Sequence, residues 1–204
     1  MNIVLIGIQG CGKGTLVSGL EQHFDFDLIS VGQLLRDEVA TGSKLGLHIK
    51  KIQESGQLVE IKTVMEAVKK KLISSTKEMV VFDGFPRNKE QADELDEVAN
   101  VDLVIHLILS KEVAIDRILN RLTCSDCGFV TKKQAVNSNR CVKCGGTLSV
   151  RTDDTIETIN KRFEQYAKQT EPILERYRAR GVVADIDANG TPDEVLASVL
   201  KVIK

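Results

Sequence analysis

The chain has 204 residues, of which 28 are basic and 29 acidic, and 42% of it is hydrophobic. This length suits one ordinary domain with insertions, and the hydrophobic share excludes disordered and collagen-like chains. A net charge of −1 excludes the broad attraction to polyanions that nucleic-acid and membrane-surface binders use, so any anion site must be local.

Short apolar runs alternate with amphipathic stretches along the chain, a pattern that predicts an α/β fold with a doubly wound parallel sheet. The predicted strands cover residues 3–6, 79–82, 103–109 and 182–186. The predicted helices cover residues 15–24, 33–40, 44–54, 61–73, 89–98, 112–122 and 192–203. A further long helix is predicted from a cap at Thr152, with Asp153 and Asp154 in its first turn, to about residue 179.

Two segments interrupt this alternation. Residues 30–59 hold two helical patterns with no strand between them, which predicts a helical insertion, and residues 121–151 have too few apolar residues to predict a core of their own. The N-terminus lacks a cationic leader and no apolar stretch approaches 18 residues, so we expect a cytoplasmic protein without a membrane partner.

A glycine-rich segment, Gly7-Ile8-Gln9-Gly10-Cys11-Gly12-Lys13-Gly14-Thr15, follows the first predicted strand and opens into a helix. Glycines let backbone amides point at a polyphosphate, the helix N-terminus adds positive potential, and Lys13 supplies a cation. The segment therefore predicts a phosphate-binding loop; the alternative is a glycine-rich turn without a ligand.

Four of the five cysteines form two Cys-x-x-Cys pairs, Cys124 with Cys127 and Cys141 with Cys144. Two such pairs are typical of a closed tetrahedral structural zinc site, and clustering of this kind in a reducing compartment indicates metal rather than disulfides. Iron in the same ligand set and four free thiols remain as alternatives.

Several motifs, in order, resemble one enzyme family. Gly14 stands between Lys13 and Thr15, which resembles the loop of nucleoside monophosphate kinases, and residues 83–87, Asp-Gly-Phe-Pro-Arg, followed by Gln91, are similar to that family's second signature. Residues 116–121 and 151–154 resemble the helices that enter and leave a lid. The similarity runs to about residue 186 and is closest to adenylate kinases of the zinc-containing lid type.

The resemblance implies a P-loop NTPase-like core of residues 1–29, 60–120 and 152–204. It implies a helical NMP-binding insertion of residues 30–59 and a zinc-ribbon lid of residues 121–151. The implied activity is reversible, Mg²⁺-dependent transfer from ATP to AMP, giving two ADP in adenine nucleotide homeostasis. The implied protein is a monomer without a nucleic-acid partner.

The resemblance also implies roles for single residues. The implied catalytic residues are Lys13, Asp83, Arg87, Arg121, Arg151 and Arg162, with Asp83 holding Mg²⁺ through water. The implied ATP-binding residues are Gly7, Gly10, Cys11, Gly12, Lys13, Gly14, Thr15, Arg117, Arg121, Val130, Thr131 and Gly190. The implied AMP-binding residues are Val31, Arg36, Gln57, Leu58, Val59, Gly84, Phe85, Pro86, Arg87, Gln91, Arg151 and Arg162. Several arginines near one another suit phosphoryl transfer, because its transition state spreads negative charge over several oxygens.

Four positions depart from the family pattern: Gln9 and Glu60 each replace a proline, Gln33 replaces an aspartate, and Val31 replaces a threonine that contacts the acceptor base. Val31 keeps a CMP or UMP kinase open as an alternative. A zinc-ribbon ATPase that binds nucleic acid is a remote alternative, opposed by the near-neutral charge and by Phe129 as the ribbon's only aromatic residue.

Overall fold

The computed structural model describes residues 1–203 and is built on strands and helices that alternate along the chain. The strands are β1 (Asn2–Ile6), β2 (Asp27–Ser30), β3 (Val80–Asp83), β4 (Leu103–Ile108), β5 (Arg121–Cys124), β6 (Val130–Lys132), β7 (Leu148–Ser149) and β8 (Val183–Asp187). The helices are α1 (Lys13–Leu20), α2 (Val31–Ala40), α3 (Lys44–Glu54), α4 (Ile61–Ile73), α5 (Lys89–Val98), α6 (Lys111–Leu119), α7 (Ile156–Gln165), α8 (Glu171–Ala179) and α9 (Pro192–Leu200).

A parallel sheet with the strand order β2-β3-β1-β4-β8 forms the centre of the molecule. Both faces of this sheet are buried, as β1 shows: Ile3 and Leu5 pack in one hydrophobic cluster, and Val4 and Ile6 pack in the other. Burial on both faces explains why the central strands are nearly continuous apolar runs. The predicted doubly wound α/β fold is confirmed.

The first cluster packs α1, α6, α7 and α9 against one face of the sheet, and the second packs α2, α4, α5 and α8 against the other. Strand β2 was not predicted, because its four residues contain only two apolar side chains, Leu28 and Ile29. The helix predicted for residues 112–122 ends earlier, at Leu119, because the chain enters β5 two residues later.

The long helical run predicted to end near residue 179 is confirmed, since α7, a π-helical turn and α8 follow one another without a break to Ala179, but the predicted cap at Thr152 is wrong. Thr155 is the N-cap of α7, and its side chain accepts a hydrogen bond from the backbone N–H of Thr158. Asp153 and Asp154 precede the helix and bind arginines instead. A π-helical turn, Tyr166–Thr170, separates α7 from α8, and such turns occur frequently at functional sites.

Residues 121–151, called the cysteine segment below, form a separate antiparallel sheet with the order β6-β5-β7. We expected no core in this segment, but it contains a small one. Cys124, Cys141 and Leu148 are buried together, with Leu122 and Phe129 packed against them. Within residues 1–203, no helix has both the length and the apolarity that crossing a bilayer requires.

Candidate active site

A cleft of about 1250 Å³ lies at the carboxyl ends of the parallel strands. Open parallel sheets bind their ligands at this edge. The volume exceeds the roughly 300–1,000 Å³ typical of a site for one small molecule. The lining comes from the loop after β1, from α2, from the residues after β3 and from the cysteine segment.

The loop between β1 and α1 forms one wall of the cleft. Gly10 and Gly12 adopt positive φ angles of 87° and 102°, which only glycine adopts readily. A Cβ atom on Gly10 would lie 2.7 Å from the carbonyl oxygen of Ala114, so the loop also needs glycine for its close approach to α6. Lys13 Nζ donates to the carbonyl oxygens of Gly7 (2.7 Å) and Ile8 (3.2 Å), which holds its ammonium group against this loop.

Cys11 lies in the same loop and is 2% exposed. Its sulfur is 3.4 Å from Lys13 Nζ, and a Cβ atom on Gly7 would lie 2.6 Å from that sulfur. Cys11 therefore fills a small space beneath the loop.

Six arginines line the cleft. One is Arg117, and the other five are Arg36, Arg87, Arg121, Arg151 and Arg162. Burial lowers the pKa of Arg36, Arg87 and Arg151, and neighbouring arginines lower each of these pKa values further. The crowded guanidinium groups therefore repel one another in a partly desolvated space. Such an arrangement is suited to a ligand with several negative charges.

Each of the five arginines other than Arg117 is oriented by a partner within the chain. Arg121 forms a bidentate ion pair with Asp154, with N···O distances of 2.8 and 2.7 Å, and Arg162 donates to Asp153 over 2.6 Å. Burial acts to raise the pKa of Asp153, but the attraction of Arg162 outweighs it and leaves this pKa lowered. Sequence reasoning missed both pairs, because it assigned the two aspartates to a helix cap.

Neutral partners orient the other three arginines. They are Gln33 Oε1 for Arg36 at 2.8 Å, the carbonyl oxygen of Gly84 for Arg87 at 2.7 Å, and Thr123 Oγ1 for Arg151 at 3.0 Å. These acceptors fix the guanidinium groups without cancelling their charge. Thr123 was not predicted as a partner, because its contact with Arg151 joins positions 28 apart in the chain. Gln33 lies one helical turn before Arg36 on α2, so spacing alone could have indicated that contact.

The segment after β3 is held by a short network of hydrogen bonds. The buried Gln91 accepts a hydrogen bond from the backbone N–H of Arg87 (2.8 Å), and Asn88 caps α5 by accepting from the N–H of Gln91. Thr170, in the π-helical turn, donates to the carbonyl oxygen of Arg87 (2.7 Å). Arg87 is thus fixed from two sides, and the role of Thr170 has no signal in the sequence.

Asp83 ends β3 and accepts a hydrogen bond from Ser30 Oγ (3.1 Å) at the edge of the cleft. A carboxylate is the type of ligand that Mg²⁺ prefers, so Asp83 fits the predicted role of holding that ion through water. Arg117 lies beside the glycine-rich loop, since a Cβ atom on Gly12 would lie 4.0 Å from its guanidinium group, and it donates weakly to the carbonyl oxygen of Gly190 (3.4 Å).

The cleft brings together nearly all of the residues that the resemblance implies for ATP, AMP and catalysis. The exception is Phe85, which is 1% exposed and packs in the core beside Phe82 with ring centroids 6.4 Å apart. Phe85 therefore supports this segment from beneath and does not line the cleft.

The four paired cysteines converge in the cysteine segment, and their sulfur atoms all lie within 4.8 Å of one another. Sulfur to sulfur distances are 3.5 Å between Cys124 and Cys144 and 3.7 Å between Cys127 and Cys141. Zinc–sulfur bonds of about 2.3 Å in a tetrahedron place sulfurs about 3.8 Å apart, so the cluster is compatible with a structural zinc.

The thiols of this cluster have opposite tendencies to ionise. Backbone N–H groups of Cys127 and Asp126 lower the pKa of Cys124 to about 7. The N–H of Gly146 acts to lower the pKa of Cys144, but its cysteine neighbours raise that pKa to about 12. Four thiolates this close repel one another, and a divalent cation would remove that repulsion.

Comparison with known proteins gave a consistent result. The family model described as adenylate kinase matches residues 5–182. A protein named adenylate kinase from Archaeoglobus fulgidus is 37% identical, over 95% of this chain and 92% of its own. Proteins of the same name from Thermodesulfovibrio yellowstonii and Treponema denticola are each 36% identical, over 100% and 97% of this chain and 99% and 97% of their own.

Proposed function

The chain belongs to the adenylate kinase family and is a phosphotransferase with a phosphate group as acceptor, and from this premise we propose that it transfers the terminal phosphoryl group of ATP to AMP. An oxygen of the AMP phosphate forms a bond to the γ-phosphorus, and the bond from that phosphorus to the β–γ bridging oxygen breaks. The products are two molecules of ADP, and the reaction is reversible.

The observation that carries this proposal is the convergence of Lys13 and five arginines, from separate segments, on one cleft. Phosphoryl transfer between two nucleotides gathers many negative charges, and its catalysis consists mainly of positioning and charge stabilisation. We assign the phosphates of ATP to the loop after β1 and to Lys13. We assign the AMP phosphate to Arg36 and the transferred group to Arg121, Arg151 and Arg162. We assign Arg87 to both, between donor and acceptor.

The division of labour along the chain is part of the proposal. Residues 30–59 are the AMP-binding insertion, the cysteine segment is the lid, and residues 1–29, 60–120 and 152–204 are the core. A closed lid excludes water, which would otherwise accept the phosphoryl group, as the lids of adenylate kinases are known to do.

Two metals belong to the proposal. Mg²⁺, when bound with ATP, neutralises phosphate charge, and Asp83 would hold it through water. Cys124, Cys127, Cys141 and Cys144 would hold a zinc ion. A closed site with four cysteines has no open position for a substrate, so the zinc would order the lid and take no part in the chemistry.

We further propose a cytoplasmic monomer without nucleic-acid or membrane partners. Paired thiols suit a reducing compartment, the net charge of −1 does not favour polyanions, and one chain supplies the whole lining of the cleft.

The test is ADP formation from ATP and Mg²⁺, with AMP, CMP, UMP and GMP offered separately as acceptors. We expect efficient turnover with AMP alone. Preference for CMP or UMP would contradict AMP as the acceptor while leaving the phosphotransferase assignment, and turnover that needs no monophosphate would contradict the proposal as a whole.

A further inference from the structure

Gln9, in the glycine-rich loop after β1, makes a contact with a residue that is distant in the chain. Its Nε2 donates a hydrogen bond to Asp154 Oδ1 over 3.2 Å, across 145 positions of the chain. Asp154 lies three residues after the cysteine segment, on the core side, and it holds Arg121 at the start of that segment. The bond therefore connects the loop after β1 to the cysteine segment through Arg121.

Asp154 is itself the centre of a buried ion pair. Its side chain is 0% exposed, and both of its oxygens accept hydrogen bonds from Arg121. Arg121 begins the cysteine segment and Asp154 follows it, so this pair joins the two points at which the segment leaves the core. Gln9 is the third donor to the carboxylate, and it ties the base of the segment to the phosphate loop.

The other half of the Gln9 carboxamide shows that this bond has a cost. Its Oε1 is buried and has no hydrogen-bond donor among the residues that the structure describes. A flipped amide would turn Oε1 toward the Asp154 carboxylate, so the carboxylate fixes the orientation of the amide. The free energy gained from a hydrogen bond to a charged group is similar in size to the free energy lost by burying an unpaired acceptor. The contact therefore holds the base of the segment but is easily released.

Two other contacts show that the cysteine segment is closed over the cleft. Lys143 forms an ion pair of 3.3 Å with Glu21 at the end of α1, and a Cβ atom on Gly128 would lie 2.9 Å from Gln33 Oε1 on α2. The Lys143 pair is half exposed, so solvent screens it strongly. The Gln9 bond is protected from solvent at its acceptor.

We propose that Gln9 is a positioning residue that latches the base of the cysteine segment to the phosphate loop and favours the closed arrangement before ATP binds. Its effect on ATP rests on the proposed function: ATP affinity falls in proportion to the closed fraction when the closed state is the one that binds. The AMP phosphate is assigned to Arg36 and Arg87, which lie outside the cysteine segment, so AMP affinity depends less on this latch than ATP affinity does.

The experiment measures the distance between the cysteine segment and the core in the ligand-free, metal-loaded protein. Spin-labelled noncanonical amino acids at Asn137 and Ala197, which are both exposed, leave the native cysteines free for metal. Distance distributions by pulsed electron paramagnetic resonance are compared for the wild type, Gln9→Met and Gln9→Glu. Met keeps the shape of the side chain without the N–H, and Glu adds a charge that repels Asp154.

We expect longer distances in Gln9→Met and a larger shift in Gln9→Glu. Calorimetric titration of Gln9→Met with ATP, without AMP, should show binding weakened by about 2- to 10-fold, the effect of one hydrogen bond, and a smaller change in AMP affinity. Gln22→Met makes the same substitution on an exposed side chain and should match the wild type. Distances in both Gln9 variants that equal those of the wild type would overturn the proposal. The distances need no turnover, so failure of the proposed function would be seen separately.

Discussion

Three hydrogen bonds, two from the backbone and one from the side chain, fix Arg87. Its backbone N–H donates to Gln91 Oε1, its carbonyl oxygen accepts from Thr170, and its Nε donates to the carbonyl oxygen of Gly84. These bonds orient the guanidinium group before any ligand arrives, and such preorganisation is the main source of electrostatic catalysis.

We expect Arg87→Ala to lower kcat by about 10³-fold or more, the lower limit for an arginine that stabilises transferred phosphate. The circular dichroism spectrum should not change, because the backbone bonds of residue 87 remain. Arg178→Ala is the matched control, since Arg178 makes a half-exposed ion pair with Asp185 outside the cleft. Near-normal turnover of the Arg87 variant would remove this residue from the proposed machinery.

Val31 is a second residue whose side chain can be tested alone. It begins α2, lines the cleft and is 5% exposed, and its side chain cannot form a hydrogen bond. Val31→Thr adds a hydroxyl at nearly constant size, so we expect the KM for AMP to fall by about 2- to 10-fold, the effect of one added hydrogen bond. Neither the KM for ATP nor kcat should change.

Steady-state kinetics with each substrate varied in turn separates these parameters. Val98→Thr, at the exposed end of α5, controls for the general effect of a valine to threonine change. An unchanged or higher KM for AMP in Val31→Thr would place the acceptor base away from residue 31.

At the scale of elements, the sequence predicts what depends on local pattern. The apolar runs of β1, β3 and β4, the glycine-rich loop and the cysteine pairs all lie where the sequence places them, because each depends on neighbours a few positions apart. Strand β2 was missed, since β3 supplies its hydrogen bonds from some 50 positions away. Asp154 was misassigned for the same reason, because its partner Arg121 lies 33 positions away. Asp153 pairs with Arg162 only nine positions on, and it was misassigned because α7 begins at Ile156 and not directly after Thr152.

The ion pair of Asp153 with Arg162 links the residues before α7 to the helix itself. Its contribution should be visible in the pH dependence of the free energy of unfolding. The pKa of Asp153 is lowered in the folded state, below the value of about 3.9 for an unfolded aspartate. Its contribution to stability is therefore complete above the unfolded pKa and is lost as the pH falls through the folded pKa. Asp153→Asn should make the fall of the urea midpoint between pH 5 and pH 3 less steep.

Asp193→Asn is the matched control, because Asp193 is exposed and has no ion pair within residues 1–203. Its urea midpoint should follow the wild type across the same pH range. An equally steep fall in Asp153→Asn and in the wild type would show that this pair does not contribute to acid stability.

The cysteine segment is an element whose order we expect to depend on metal. Its buried apolar cluster consists of Cys124, Cys141 and Leu148, so two of these three residues are candidate metal ligands. Chelation or Cys144→Ser should lower the melting temperature and increase hydrogen exchange across residues 121–151, because binding free energy of the metal stabilises the fold. Exchange in β1, β3 and β4 should change little.

Metal content by atomic absorption gives the control. One ion per chain is expected in the wild type and in Cys11→Ser, since Cys11 lies outside the cluster, and none in Cys144→Ser. A chelated protein that keeps the exchange pattern and melting temperature of the wild type would contradict a structural metal.

At the scale of the whole molecule, the cleft draws its positive charge from segments far apart in the chain. Arg36 comes from α2, Arg87 follows β3, Arg121 and Arg151 belong to the cysteine segment, and Arg162 lies on α7. The arrangement keeps like charges close in a low-dielectric space, where repulsion is stronger than at the surface. The fold therefore carries an electrostatic cost that an anionic ligand can relieve.

We expect this cost to appear as stabilisation by polyphosphate. Burial lowers the pKa of Arg36, Arg87 and Arg151, which means that their charged forms are disfavoured in the empty cleft. Tripolyphosphate at 100 times its Kd should add about 2.7 kcal/mol of stability by mass action, and this corresponds to a rise in melting temperature of roughly 5–10 °C for a chain of this size.

Differential scanning calorimetry at matched ionic strength separates site binding from general screening. Sodium chloride should give a much smaller rise, because a monovalent ion cannot bridge several guanidinium groups at once. Lys13→Met should reduce the rise with tripolyphosphate, since this substitution removes one cation from the proposed phosphate-binding loop while leaving the glycine backbone intact. Equal effects of tripolyphosphate and sodium chloride would show that the converging arginines are neutralised within the protein itself, by Asp83, Asp153 and Asp154, and not by a bound anion.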